Sequence, residues 1–127
     1  MLIFGHPQIP TNPFVRVTEI PQIAQSLASA IVYFHAKDKE AFNLSAHCSQ
    51  NGVKYAVLVA SPLEWALMVN FKPSYILVEN EPKNYQSLAD DYLSDARVLW
   101  VIDKEEQIEQ ALKIRIDGVV FGAFLGL

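Results

Sequence analysis

The chain has 127 residues, of which 51% are hydrophobic and 19% are charged, a length and balance that are typical of one folded domain and exclude an intrinsically disordered protein. Its formal net charge is −4, and its ten lysines and arginines are scattered along the chain. This distribution excludes the concentrated positive charge that nucleic-acid binding requires, so we expect a single domain, residues 1–127, with no nucleic-acid partner.

The first thirty residues permit two arrangements. The segment 2–5 is either an edge strand or a packed arm, and the segment 14–17 is a candidate strand that leads into a helix over residues 20–27. Three prolines between these segments, at positions 7, 10 and 13, predict a loop. We therefore separate residues 1–18, an N-terminal arm or edge strand, from residues 19–127, an alternating core of helices and strands.

Five short apolar runs farther along the chain predict strands. Their apolar character is continuous rather than alternating, which is typical of strands that are buried on both faces of a sheet. The runs span residues 31–35, 55–60, 75–78, 98–102 and 118–121.

Segments with a helical period lie between these runs, at residues 39–50, 62–71, 82–93 and 103–112. The clearest boundary is at Ser61, which can cap a helix that begins with Pro62, while Glu64 completes a capping box. Asp103 is likewise predicted to cap the fourth helix, because glutamates follow it in the positive first turn.

The alternation of strand and helix predicts an α/β fold with a mainly parallel sheet. We expect a single three-layer α/β/α domain with five or six strands, of the flavodoxin-like or Rossmann-like kind. The five clear strands are then expected in the order 2-1-3-4-5. The alternative is a half-barrel-like repeat of strand–helix units.

In open α/β sheets, ligands bind beyond the carboxyl ends of the strands. His35 and Glu79 follow two of the predicted strands and are candidate catalytic bases. The other candidates at these ends are ligand-binding residues: Lys37, Asp38, Ser61, Asn80, Asp103 and Gly122. Lys37 can hold an anion, as can the helix N-termini at Ser61 and Asp103. A capping role alone would also explain why Ser61 and Asp103 stand at helix N-termini. A hydrogen bond in the core would likewise explain why His35 stands at the end of a buried strand.

No known catalytic or metal-binding motif accompanies these residues. The sequence lacks a phosphate-binding loop, a dinucleotide-binding glycine pattern, a nucleophile elbow and a zinc-binding H-E-x-x-H pattern. It also lacks the acidic pair of phosphoryl-accepting receiver domains. The three histidines and Cys48 do not have the spacing of metal ligands. We therefore predict no metal and no cofactor.

The end of the chain carries one suggestive pattern. The strand 98–102, the helix after it and the segment 116–127, with Gly122 behind its strand, resemble the last strand–helix–strand unit of phosphate-binding (βα)8 barrels. In those barrels, a glycine after the final strand admits a phosphate. The chain departs from them because it lacks Gly-Gly after the penultimate strand and is shorter than the usual barrel of about 250 residues. We assign no function from this resemblance.

The sequence also bears on the compartment. A single cysteine excludes an internal disulfide framework and suits a reducing environment. The first residues lack a positively charged signal region, and no run of about 18 apolar residues could cross a bilayer. We expect a cytoplasmic protein without a membrane partner.

Two apolar surfaces predict contact with a partner. The chain ends in an apolar tail that would be unfavourable in water, and the helix 62–71 has too many apolar residues for one buried face. We expect Leu63, Ala66 and Leu67 to face the sheet. The candidate interface residues are then Trp65, Met68, Val69, Phe124, Leu125 and Leu127. A helix that is covered by the N-terminal arm is the alternative.

The leading functional hypothesis is a non-catalytic α/β module that forms a homo-oligomer, for example a homodimer, or binds another protein. The alternative is a small enzyme or ligand-binding domain for a phosphorylated or carboxylated metabolite. In that alternative, Lys37 holds the anion and His35 or Glu79 moves a proton. The sequence leaves open whether the protein is an enzyme.

Overall fold

A computed structural model describes all 127 residues. The seven strands are β1 (Leu2–Phe4), β2 (Phe14–Arg16), β3 (Ile31–His35), β4 (Tyr55–Val59), β5 (Tyr75–Val78), β6 (Arg97–Ile102) and β7 (Gly118–Phe121). The five α-helices are α1 (Ile20–Gln25), α2 (Ala41–Gln50), α3 (Pro62–Val69), α4 (Pro82–Asp91) and α5 (Gln107–Lys113). A 3-10 helix (Gly122–Leu125) follows β7, and none of the helices has the length and apolar character to cross a membrane.

All seven strands form one sheet, in the order β1-β7-β6-β5-β4-β3-β2, and every neighbouring pair is parallel. The predicted α/β class and parallel sheet are therefore confirmed. The predicted count of five or six strands is wrong, because both N-terminal segments are strands and lie at opposite edges of the sheet. The flavodoxin-like strand order is also wrong, because β2 to β7 lie side by side in the order of the chain.

The five α-helices pack on one face of this sheet. Their buried residues, such as Leu44 of α2, Met68 of α3 and Ala111 of α5, belong to one hydrophobic cluster with the strand residues of that face. The cluster on the other face has no residue from any of the five. From β2 to β7, each strand lies on the same side of the strand before it. Right-handed crossovers between such strands place every helix on one face of the sheet. The predicted three-layer arrangement is therefore wrong, and the half-barrel-like alternative fits the structure.

The helix-free face curls into an aromatic core. The ring of Phe4 on β1 lies 5.2 Å from that of Phe14 on β2 and 5.4 Å from that of Tyr75 on β5. Because β1 and β2 are the two edges of the sheet, this contact requires strong curvature. The edges meet through side chains, since no ladder of backbone hydrogen bonds joins β1 to β2.

The C-terminal 3-10 helix packs beside this junction of the two edges. Phe124 lies with its ring 6.1 Å from that of Phe14, and the buried Leu125 accepts a hydrogen bond at its carbonyl from the hydroxyl of Tyr33. Gly5, with a φ of +90°, allows this approach because a Cβ there would lie 2.6 Å from the Cβ of Phe124. Leu125 is therefore part of the core and forms no outer surface, while the half-buried Phe124 packs against this core. Leu127 is 56% exposed and available for contact.

Two predicted helix boundaries had different outcomes. The hydroxyl of Ser61 accepts from the backbone N–H of Glu64 at 3.2 Å, so the predicted Ser61 cap of α3 is confirmed. The Glu64 carboxylate accepts from the backbone N–H of Ala60 at 2.7 Å, one residue before the position that a capping box requires. Asp103 does not cap α5, which begins at Gln107. The Gln107 side-chain carbonyl instead accepts from the backbone N–H groups of Asp103 and Lys104, at 2.8 and 2.9 Å.

Candidate functional site

A cluster of three polar side chains lies at the carboxyl ends of β2 and β3. Arg16 is the last residue of β2, His35 is the last residue of β3, and Asp38 lies in the turn that follows. One terminal nitrogen of Arg16, Nη2, donates to the two carboxylate oxygens of Asp38 at 3.2 and 3.0 Å. The other terminal nitrogen, Nη1, is hydrogen-bonded to Nε2 of His35. Asp38 Oδ2 also accepts from the backbone N–H of His35 at 3.1 Å.

These contacts fix the tautomer of His35. An arginine guanidinium only donates hydrogen bonds, so Nε2 of His35 is the acceptor and Nδ1 carries the ring proton. Burial of the ring lowers the pKa of His35, and the charge of Arg16 lowers it further. The neighbouring Asp38 partly opposes this decrease in the pKa. His35 is therefore a neutral ring whose lone pair is already engaged, which favours hydrogen-bond donation over the predicted role of a general base.

The predicted site residues fall into separate groups. His35, Lys37 and Asp38 lie together at the end of β3, where Lys37 is exposed and Asp38 is half-buried. Glu79 and Asn80 line a small cavity of about 70 Å³ at the carboxyl ends of β4 and β5.

The other predicted site residues, Ser61, Asp103 and Gly122, lie at the ends of other strands and do not join the cluster of Arg16, His35 and Asp38. A Cβ on Gly122 would lie 3.4 Å from Oδ1 of Asp103, so these two residues are neighbours at the ends of β6 and β7. Ser61 is engaged as the N-cap of α3. The structure thus brings only two of the predicted ligand-binding and catalytic residues, His35 and Asp38, into one hydrogen-bonded cluster, with Lys37 between them in the chain.

Sequence reasoning missed Arg16, the residue that joins this cluster together. Its segment permits either an arm or an edge strand from the sequence alone, so its neighbours do not follow from the local pattern. The available signal was the spacing to Phe14, two residues earlier on the same strand, because residues at i and i+2 share a face. A charged residue at the end of a buried face is informative, since it requires a polar partner.

The structure offers little for metal or thiol chemistry. No group of three or more histidine, cysteine, aspartate or glutamate residues is placed to hold a metal ion. Burial raises the pKa of the Cys48 thiol to about 11, as expected for an unreactive side chain on the inner face of α2.

A second feature lies on the helical side of the molecule. A groove of about 640 Å³ runs between α3 and α4 and is lined mainly by apolar residues, among them Ala66, Val69, Leu88 and Ala96. Trp65 also lines it and is almost completely buried, yet its indole Nε1 has no hydrogen-bond partner. A buried N–H without a partner is unfavourable, so this indole lowers the stability of the fold.

The predicted assignment of the two faces of α3 is wrong. Trp65 and Met68 are buried against the sheet and Val69 is half-buried, so they do not form an outer surface. The helix instead exposes Leu63 at 68% and Leu67 at 42%. The hydrophobic period could not distinguish the faces because both are apolar.

Further apolar residues extend this exposed surface. We call Pro62, Leu63, Ala66 and Leu67 the α3 surface; all four are exposed, and none is charged. Tyr92, 73% exposed, borders the groove on the α4 side, and its ring lies 6.1 Å from that of Trp65.

Comparison of the chain with known protein families finds no match, and comparison with curated proteins finds none either.

Proposed function

We propose that the protein is a non-catalytic module that associates with a second copy of itself through the α3 surface and the groove between α3 and α4. The observation that carries this proposal is the exposure of Leu63 and Leu67 beside an apolar groove. Contiguous exposed apolar patches of this kind mark interaction sites in soluble proteins. A cytoplasmic location suits the module because its single thiol is buried and unpaired.

The shape of this region supports a second copy as the occupant. Leu63 and Leu67 form a ridge on α3, while Pro62 and Ala66 line the adjoining groove. A ridge next to a groove is self-complementary, because a two-fold axis places the ridge of each copy in the groove of the other. Ala66 lies between the two leucines in the sequence, and its small side chain permits two α3 helices to approach closely.

Charge and polarity agree with this arrangement. The α3 surface carries no charged residue, and one end of the groove holds Lys72 and Asp95, whose charges cancel.

The test compares a double substitution of leucine by glutamate on α3 with a single one on α5. We expect the wild-type protein to be dimeric by light scattering coupled to size-exclusion chromatography, across micromolar to near-millimolar concentrations. L63E combined with L67E should be monomeric, because it places charges in an apolar contact. The matched control is L112E on α5, where Leu112 is 57% exposed but lies on another surface, and it should stay dimeric.

Circular dichroism would establish that each variant is folded. A monomeric wild-type protein over the whole concentration range would overturn the proposal. So would dimers that survive the double substitution or dissociate equally in L112E.

A further inference from the structure

We infer that Arg16, His35 and Lys37 form a binding site for a small oxyanion, a carboxylate or a phosphate, at the carboxyl ends of β2 and β3. The site is separate from the surface that is proposed for self-association, since that surface lies on α3 and the groove beside it. It is therefore an additional property of the molecule.

The first argument concerns which hydrogen-bonding groups of the cluster remain free. Both carboxylate oxygens of Asp38 already accept hydrogen bonds, one of them also from the backbone N–H of His35. A guanidinium has five N–H groups, and these contacts leave the Nε–H and one N–H of Nη1 on Arg16 without a protein partner. His35 has a proton on Nδ1 that has no protein partner and is not cut off from solvent. The cluster thus presents donors to a ligand.

The second argument concerns charge. The charges of Arg16 and Asp38 cancel at their contact of 3.0 Å, and His35 is neutral. The ammonium group of Lys37, one residue before Asp38 and exposed, leaves this group of side chains with a net positive charge. Glu79 at the end of β5 is the opposing charge near His35. The free N–H donors and the ammonium group of Lys37 therefore favour a small oxyanion over a cation, while Glu79 limits the negative charge that the site accepts.

The third argument concerns rigidity. Arg16 is held by two different acceptors, so its planar guanidinium is oriented before a ligand arrives. Only about a third of its side-chain surface is exposed, which limits alternative rotamers. An oriented guanidinium pairs well with two oxygens of one ligand, and both carboxylate and phosphate provide them.

The experiment is a titration that is followed on the ring of His35. Two-dimensional NMR of the imidazole nitrogens would be recorded at pH 7 while inorganic phosphate, or in a separate series acetate, is added at constant ionic strength with chloride. We expect a saturable change in the Nδ1 signal of His35. Tighter binding of phosphate would assign the site to phosphate esters, and tighter binding of acetate would assign it to carboxylates.

Two arginine variants complete the design. R16Q is expected to weaken binding of the better anion at least tenfold, because it removes the oriented donors. R97Q is the matched control, since Arg97 is an exposed arginine at the opposite end of the sheet, and it should bind as the wild type does. Backbone amide spectra would confirm that R16Q is folded.

K37Q provides a second variant that leaves the Arg16 contacts intact, and it should weaken binding several-fold. Absence of a saturable change in the wild type would overturn the inference. Equal binding by R16Q and R97Q would overturn it as well. Neither outcome bears on self-association, which is measured separately.

Discussion

At His35, one hydrogen bond from Arg16 determines what the side chain can do. The sequence placed His35 at the end of a strand and suggested proton transfer, whereas the structure engages its lone pair and leaves a donor. The partner Asp38 was also a candidate from the sequence. Arg16 was not, because the contact joins residues that are 19 positions apart and depends on which strand lies beside β3. Neighbours across a sheet follow from strand order, which the local pattern does not contain.

The lowered pKa of His35 has a consequence for stability. In the unfolded chain this residue has its ordinary pKa, about 6.5, so between the two pKa values the unfolded state binds more protons. The free energy of unfolding therefore rises with pH across that window and falls on acidification. We expect the wild type to be less stable at pH 5 than at pH 7 in urea denaturation, and H35Q to lack this part of the loss. An identical pH dependence in the two proteins would contradict the assignment.

At the scale of elements, a helix boundary could be predicted from the sequence where the capping side chain is close in sequence to the backbone groups that it caps. The start of α3 was correct because Ser61 and Glu64 are both close in sequence to the backbone groups that they cap. The start of α5 was wrong because Gln107, rather than Asp103, satisfies the preceding backbone N–H groups. The two faces of α3 could not be told apart, since burial depends on the neighbouring elements and not on the helix alone.

The C-terminal 3-10 helix gives the clearest test at this scale. Leu125 is buried in the aromatic cluster, whereas Leu127, two residues later, is 56% exposed. L125A should lower the free energy of unfolding by about 2–5 kcal/mol, because it leaves a cavity in the core. L127A should change it by less than about 0.5 kcal/mol. Urea denaturation of both variants measures the difference. Equal changes in the free energy of unfolding would show that Leu125 does not pack on the helix-free face of the sheet.

At the scale of the whole molecule, the sequence predicted the α/β class but not the strand order. Each continuous apolar run became a strand, because only burial on both faces tolerates such a run. The edge strands β1 and β2 have three residues each, too few to carry a pattern. The curvature that joins them comes from contacts such as that between Phe4 and Phe14, which no local segment encodes. The same curvature leaves all five helices on the outside, where α3 is exposed.

The outward position of α3 leads to the most direct test, a distance measurement between two copies. A spin label would be attached to N70C, the exposed residue at the C-terminal end of α3, and separately to L112C on α5, so that the α3 surface itself is left unchanged. The buried Cys48, with its raised pKa, should remain unlabelled.

Pulsed electron paramagnetic resonance then reports the separation of the labels in each protein. Association through α3 requires a short distance between the labels at position 70 and a longer one at position 112. No coupling at position 70, or a shorter distance at position 112, would contradict the proposal that α3 is the contact surface.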